Sequence, residues 1–403
     1  MARARLAGAG QKLGWRGLVA GSALALSAAA GAAVAAPAAH ATTTPAGGTA
    51  CGKATGPFSV SGTQVLGADG KTFISYGLTV AGLQSADWAS SYLADRAEIT
   101  ATADDWCANT VRLQLNQDEL LGPDGTGLNQ AYLAAVKSEV AWAESDKLVV
   151  VLNDETNLAT PAEAAAQRGP TRATEVFWKD LTKVYGHDSQ VIFDLFNEPR
   201  LYSSGMSMAR DWQLWLDGGT FDGVSYPFGM AQLADYVRTT LGARNLFWIE
   251  GPNYSSSFAG MVQANAVLKT SGVVYAVHHP AGDNTGSWGD DFGYLITDRV
   301  GPVVDGEWTN YEPAPTSSPT PMPSSCWPNA PTSVPQFLRY LTQYGIGLNA
   351  YTLQPGFLIK SATNLADPTT MNAKTWTCQS ASESQPGQGA GAEILAWFQQ
   401  QNS

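Results

Sequence analysis

Along the chain, short runs of Val, Ile, Leu and Phe alternate with longer stretches whose apolar residues recur at three- and four-residue spacing. The runs are Thr72–Gly77, Thr110–Leu115, Leu148–Leu152, Val191–Phe196, Leu246–Glu250, Val273–Val277, Pro302–Asp305 and Gly347–Tyr351. Between them Gln130–Ser145, Ala173–Tyr185, Met230–Leu241 and Val334–Tyr344 carry helical spacing, and Ala392–Gln400 adds a last helix. Runs that are apolar on both faces read as buried parallel strands, and the amphipathic segments as the helices that cover them. Eight such units predict an α/β protein, a (β/α)8 TIM barrel built as a single domain with long βα loops. A doubly wound open sheet is the rival architecture. It loses ground because no G-x-G-x-x-G or G-x-x-x-x-G-K-[ST] turn follows the first run.

Residues 1–41 stand outside this pattern. Arg3, Arg5, Lys12 and Arg16 precede an Ala/Leu/Val/Gly run from Gly17 to Ala36, closed by small residues with Ala39-His40-Ala41 and Ala33-Val34-Ala35 as cleavage sites. This is the grammar of a secretory signal peptide. A membrane anchor is the alternative, since the run approaches the roughly 20 residues a span needs, but its Ala/Gly composition is weakly hydrophobic. The expected organisation is a signal peptide over 1–41, a flexible segment over 42–50 and the barrel over 51–403. The protein is expected to be secreted, extracellular and free of the membrane once the signal is cleaved. The Pro-rich stretch Glu312–Pro335 has the composition of an interdomain spacer. The eighth run and two helices follow it, so it reads instead as the long loop after strand seven.

Cys51, Cys107, Cys326 and Cys378 form no C-x-x-C motif, which suits an exported disulfide protein better than a zinc or thioredoxin-type site. The barrel places Cys51 and Cys107 at its N-terminal end, before strands one and two. It places Cys326 and Cys378 in the loops after strands seven and eight. Pairs 51–107 and 326–378 are therefore expected, with free buried thiols as the alternative.

Composition narrows the partners. Only 14% of the 403 residues are charged, against roughly 25% in an average soluble protein, while 13 Trp, 14 Tyr and 13 Phe supply many rings. The net charge is −12, and the signal segment holds four of the 23 basic residues and none of the 35 acids, so the secreted chain is more acidic still. Without a Lys/Arg cluster to neutralise phosphates, nucleic acid is not an expected partner. A hydrophobic content of 44% excludes a disordered chain. No H-E-x-x-H or other metal spacing occurs, and Gly205–Ala209 lacks the closing glycine of a G-x-S-x-G elbow. No metal or cofactor is expected.

In such a barrel, chemistry gathers at the C-terminal ends of the strands. Strand two (TVRLQL) carries Arg112; strand three ends at Asn153, Asp154 and Glu155. Strand four (VIFDLFNEP) ends at Asn197-Glu198-Pro199, strand five at Glu250 and Asn253, strand six at His278 and His279, and strand seven at Glu307-Trp308. Strands four and seven face each other across a barrel mouth, so Glu198 and Glu307 are placed to flank a glycosidic bond as acid and nucleophile. Arg112 is the cation that would hold Glu307 ionised, and Asn197 is a donor for a sugar 2-hydroxyl. Singly, each has a plain structural reading. A Glu after a strand is usually solvated, Glu-Pro often starts a helix, and paired His can be structural. Asp154, Glu155 and Glu250 are expected as solvated loop acids rather than Ca²⁺ ligands. Only the joint pattern points to chemistry. Trp288, Trp308, Tyr254, Tyr311, Trp327 and Trp376 fall in the C-terminal loops, where exposed rings can stack on the apolar faces of sugars.

IFDLFNEP resembles the acid/base signature of glycoside hydrolase family 5, the cellulase family, and PVVDGEW its nucleophile signature. FSVSGTQVLGADGKTFISYGLTVAG resembles the family's opening and NTVRLQL its strand-two arginine segment, so the likeness runs from Phe58 to Phe398. The resemblance implies that Glu198 is general acid/base and Glu307 nucleophile, with Arg112 supporting Glu307, Asn197 binding the −1 sugar and His278 beside them. It implies a retaining, metal-free reaction through a covalent glycosyl-enzyme. There are departures: Asn153 stands where the family commonly has His, and Pro280 where it has the Tyr of H-x-Y. The strand-eight Trp is missing from GIGLNAYTLQPG, with Tyr351 or Gln354 as substitutes. The expected activity is hydrolysis of β-1,4-linked glucan by a monomer. Arg112, Asn153, Asn197, Tyr254, His278, His279 and Trp308 are the expected contacts to a polysaccharide or oligosaccharide. Mannan or a glycoconjugate is the alternative substrate, and a non-catalytic polysaccharide-binding barrel the alternative class.

Overall fold

A computed structural model describes residues 51–402, apart from 86, 123–126, 156–167, 203–207, 280–286, 309–310, 313–324, 327–329, 354–357 and 359–389. Eight parallel strands close into a barrel in chain order: Tyr76–Val80, Thr110–Asn116, Val149–Glu155, Val191–Asp194, Phe247–Glu250, Val273–Val277, Val303–Trp308 and Gly347–Ala350. Seven of the eight expected runs overlie these strands. The first does not. Thr72–Phe73 pairs antiparallel with Val65–Leu66 in a small sheet with Ser59–Ser61, and barrel strand one begins at Tyr76. The two segments differ in burial: Tyr76–Val80 is buried at every position, Thr72–Phe73 only partly.

Alternation along each strand sorts the side chains into two sets. Val149, Val151, Ile192, Leu246, Trp248, Val274, Ala276 and Val304 point into the barrel and fill its lower half. Phe58, Val60, Val65 and Phe73 of the small sheet pack beneath them as a floor. The other set, including Leu113, Val150, Leu152, Phe193, Ile249 and Val277, meets the surrounding helices. Because the lower half is lined with hydrocarbon, the polar residues that continue each strand upward are gathered at the C-terminal mouth.

The covering helices follow the sequence spacing. Gln130–Ser145 begins where Asn129 Oδ1 accepts the N–H groups of Ala131 and Tyr132 at 3.1 and 3.2 Å, an N-cap. Met230–Leu241 splits into an α-helix over Met230–Asp235 and a wider turn over Tyr236–Thr240. The helix expected from Val334 starts earlier, at Ala330. Cys51 and Cys107 form a disulfide with Cα atoms 5.1 Å apart. Beside it Gly52 N–H donates to Asn402 O and Asn402 Nδ2 to Cys107 O, which ties both ends of the barrel domain together. The expected 326–378 pair, the signal segment and residues 42–50 lie outside the described residues. Among the described residues no helix is long and apolar enough to cross a membrane.

Asp95 and Glu98 of helix Trp88–Asp104 and Glu139 of Gln130–Ser145 are all buried. Burial pushes Asp95 up to about 7, and burial together with the charge of Asp95 raises Glu98 and Glu139 well above the carboxyl range. Carboxyl groups whose folded values lie above their unfolded ones bind protons that the unfolded chain has already released. Their contribution is complete below about pH 4 and is lost as pH rises toward and past 7. Glu139→Gln is expected to flatten this decline, so that its thermal midpoint exceeds the wild type's by a few degrees at pH 8 and little at pH 5. An equal shift at both values would refute the cluster's role.

Candidate active site

Arg112 sits on strand two with its side chain completely buried and its guanidinium surrounded by acceptors. Nε donates to Asp194 Oδ2 at 2.9 Å and Nη1 to Glu307 Oε2 at 2.6 Å. Nη2 donates to Asn197 Oδ1 at 2.6 Å and to Glu250 Oε1 at 3.3 Å. Burial opposes this charge, yet Asp194, Glu307 and Glu250 outweigh it and hold the guanidinium above its ordinary pKa. A planar fork that keeps its proton can serve four acceptors on three other strands and the loop after strand four; an ammonium group could not.

Glu307 reaches the mouth through a local irregularity. Strand seven pairs Asp305 with Leu348 and then Trp308 with Ala350, one extra residue on its own side. Such a bulge re-aims a side chain. With Val304 inward, strict alternation would turn Gly306 in and Glu307 out. The bulge brings Glu307 in as well, and Gly306 leaves the room: a Cβ there would lie 3.2 Å from Ala276 Cβ and 3.3 Å from His278 Nε2. Burial raises Glu307 above the ordinary carboxyl value; Arg112 and His278 pull it back, and Glu198 raises it again.

Glu198 stands opposite, in a left-handed conformation with φ +45° that a non-glycine residue adopts at a cost. Its N–H donates to Glu250 Oε2 at 2.6 Å, which fixes the turn. His278 Nδ1 is 3.2 Å from Glu198 Oε1, and its Nε2 is 3.1 Å from Glu250 Oε1. Burial would strip the imidazole of its proton, but Glu250, Glu198 and Glu307 together keep it charged well above pH 6.5. Carboxylate oxygens of Glu198 and Glu307 and a ring nitrogen of His278 all lie within 4.8 Å of one another. Those residue types and distances would also suit a cation. A protonated imidazole, however, has no lone pair to give one.

The other expected residues divide. Asn197 gives its carbonyl oxygen to Arg112, and its backbone N–H donates to Asp154 O at 3.0 Å. Asn153 lies inside the barrel, cross-strand from Gln114 and Asp194, with neither amide atom partnered. Tyr254 is on the rim, 46% exposed, with the Arg200 guanidinium 5.8 Å from its ring centre. His279 and Trp308 are not at the mouth, and the expectation for both is corrected. His279 follows inward-facing His278 and so points outward, 3.3 Å from Asp291 Oδ2 and between Phe292 and Phe337. Trp308 is fully buried and stacks on Phe337 at 6.1 Å. Trp288 packs against Phe337 and Tyr340. Tyr351 is buried at the end of strand eight. The side chains of Tyr311, Trp327, Gln354 and Trp376 fall outside the described residues.

The acids expected to be solvated are not. Asp154 and Glu250 have no exposed surface. Burial, then Glu307 and Glu198, lifts half-buried Glu155 to about 8, so at neutral pH it presents mainly an O–H rather than a charge. Two residues not singled out in the sequence complete the network with Glu250: Asp194, which lies with it under Arg112, and Gln114, whose Nε2 donates to Glu307 Oε2 at 2.8 Å. Their signal was parity. Each lies two residues from another inward position of an otherwise apolar strand, where a polar side chain needs a partner.

Two facing glutamates, one bound to a buried arginine and the other to a protonated histidine, at the mouth of a (β/α)8 barrel are the equipment of a glycoside hydrolase. The model of the cellulase family, glycosyl hydrolase family 5, matches residues 66–321, more than half the chain. The chain belongs to that family. No curated protein matches it. Among solved structures it is similar to the catalytic domain of an endoglucanase from Thermobifida fusca, at 15% identity and TM-score 0.57 over 85% of this chain and 97% of that one. A β-glucanase from Saccharophagus degradans in complex with cellotetraose is 17% identical, with TM-score 0.57 over 87% and 93%. A β-mannanase from Streptomyces thermolilacinus with mannohexaose is 18% identical, with TM-score 0.53 over 85% and 94%. At these identities the likeness speaks for the fold.

Proposed function

We propose that the protein is a secreted, monomeric, retaining β-glycosidase that cleaves β-1,4-linked glucan by double displacement. The observation that carries this reading is the proximity of the two carboxyl groups, whose oxygens approach within 4.8 Å. Double displacement uses a separation of about 5–5.5 Å, and inversion needs about 6.5–9.5 Å to admit a water. In the first step Glu307 attacks the anomeric carbon while Glu198 gives its proton to the departing oxygen. In the second, Glu198 takes a proton from water, the water oxygen bonds to that carbon, and the electron pair of the ester bond returns to Glu307. Asn197 offers an amide donor to the 2-hydroxyl, Glu155 a further hydroxyl donor, and Tyr254 an exposed ring. A surface with few charges and a net −12 suits a neutral, hydroxyl-rich polymer. The basic, then apolar, then small-residue N-terminus supports export.

The glucan choice draws on similar structures that are an endoglucanase and a β-glucanase bound to cellotetraose. Mannan is the second reading: another similar structure is a β-mannanase, and the chain departs from the family pattern at Asn153, at Pro280 and in lacking the strand-eight Trp. A panel of cellulose derivatives, mixed-linkage glucan, mannan and aryl β-glycosides decides, with NMR of the first-formed anomer. Highest rates on β-1,4-glucan with β-product are expected. Highest rates on mannan would replace the substrate, and binding without cleavage of any member would remove the enzymatic reading.

Glu198→Ala separates the acid role from the rest. It is expected to slow polysaccharide hydrolysis about 10²–10⁴-fold. An aryl glycoside whose leaving group needs no proton should form the glycosyl-enzyme at nearly the wild-type rate. Equal losses on both substrates would contradict the assignment of Glu198 as proton donor.

A further inference from the structure

Among the described residues two donors reach Glu307, and both end on the same oxygen. Arg112 Nη1 lies 2.6 Å and Gln114 Nε2 2.8 Å from Oε2. We propose that Gln114 is a positioning residue for the nucleophile: with Arg112 it pins Oε2, leaving Oε1 as the oxygen that attacks. This rests on the reading of Glu307 as nucleophile given above.

Arg112 and Gln114 are two residues apart on strand two, so the pleat turns both inward at one level. Their donors differ in kind. The Arg112 charge is divided among Asp194, Glu250 and Glu307, whereas the Gln114 side chain donates to Glu307. An ionised carboxylate can only accept, so the amide must turn its NH₂ toward Glu307. Its Oε1 is then left buried with no partner. Burying an unpartnered amide oxygen costs stability, so folding alone does not favour this side chain at this place. A chemical task does account for it.

During attack, Oε1 bonds to the anomeric carbon as the leaving-group bond breaks, and Oε2 becomes the ester carbonyl. During hydrolysis the ester bond breaks and charge returns to the carboxylate, spread over both oxygens. A fixed neutral donor at Oε2 favours the ionised form in a site where burial works against it. It also needs no reorganisation as the charge returns.

The test is Gln114→Met, which keeps the length and removes the donor, with Gln114→Glu beside it. Kinetics on an activated aryl β-glycoside are measured across pH, with thermal denaturation of each variant. For Gln114→Met, kcat should fall about 10–100-fold with KM little changed, and the acidic limb of kcat/KM should move to higher pH. Gln114→Glu can donate only while protonated, so its activity should be partly retained in acid and lost as pH rises. Wild-type kcat with an unmoved acidic limb in Gln114→Met overturns the proposal. So does a loss of kcat that follows lowered stability while the limb stays in place. If Gln114→Met does not fold, the pH profile of Gln114→Glu carries the same test: an unshifted profile overturns it. Full activity in Glu307→Ala would instead remove the underlying reading, independently of either Gln114 variant.

Discussion

Replacing Arg112 by Met is expected to destabilise the protein by about 3–5 kcal/mol and to lower kcat by at least a hundredfold. The size of the first effect follows from what remains behind. Asp194 and Glu250 have no exposed side-chain surface, and Glu307 little, so three carboxyl groups would lose their shared cation in a site that water barely reaches. Burial already raises Asp194 to about 7, with Glu250 adding to the shift and Arg112 opposing it. Without Arg112, Asp194 and Glu307 would hold protons to still higher pH. Carboxyl values raised in the folded state give stability that is present in acid and lost as pH rises. The deficit of Arg112→Met should therefore be small near pH 4 and largest at pH 8, as read from denaturant unfolding at both. A deficit independent of pH would show that packing rather than charge is what the arginine supplies. The kinetic effect has a separate origin, because Glu307 also loses the strongest of its two donors.

Glu307→Ala is expected to reduce turnover on every substrate by about 10⁵–10⁶-fold, the scale on which a covalent nucleophile is missed. The fold should survive it. Glu307 is the most exposed of the three carboxylates on Arg112, and its removal leaves Arg112 with Asp194, Glu250 and Asn197 as partners. Unlike Arg112→Met, the variant should unfold close to the wild-type midpoint. The pair thus separates chemistry from scaffold. One variant loses both, the other only turnover. A Glu307→Ala enzyme within tenfold of wild type would leave the double-displacement scheme without its first step.

The barrel was legible because parallel strands are buried on both faces and so appear as unbroken apolar runs. Strand one was misplaced because Thr72–Phe73 and Tyr76–Val80 read as one stretch, though one lies in the floor and the other in the wall. Parity explains most of the site. His278 and His279 look equivalent in sequence, yet neighbouring residues face opposite sides, and only the first meets the carboxyl groups. The same rule marks Gln114 as companion to Arg112, Asp194 to Ile192 and Glu250 to Trp248. Parity fails at strand seven. The extra residue between Asp305 and Trp308 re-aims Glu307, and a bulge of this kind leaves no signature beyond the glycine at 306. The left-handed turn at Glu198 was equally hidden, since it is held by the distant Glu250 carboxylate rather than by local residues. The network beneath the two glutamates is a property of five strands at once, which is why single motifs showed its ends and not its middle.

The central claim is that Glu307 forms a bond to the sugar from the face opposite the leaving group. Glu307→Ala supplied with azide and an activated aryl β-glucoside tests it most directly. Azide should occupy the space of the missing carboxylate, restore release of the phenol and yield the α-glycosyl azide, identified by the anomeric coupling constant in its NMR spectrum. A β-glycosyl azide, or wild-type hydrolysis without azide, would contradict the assignment.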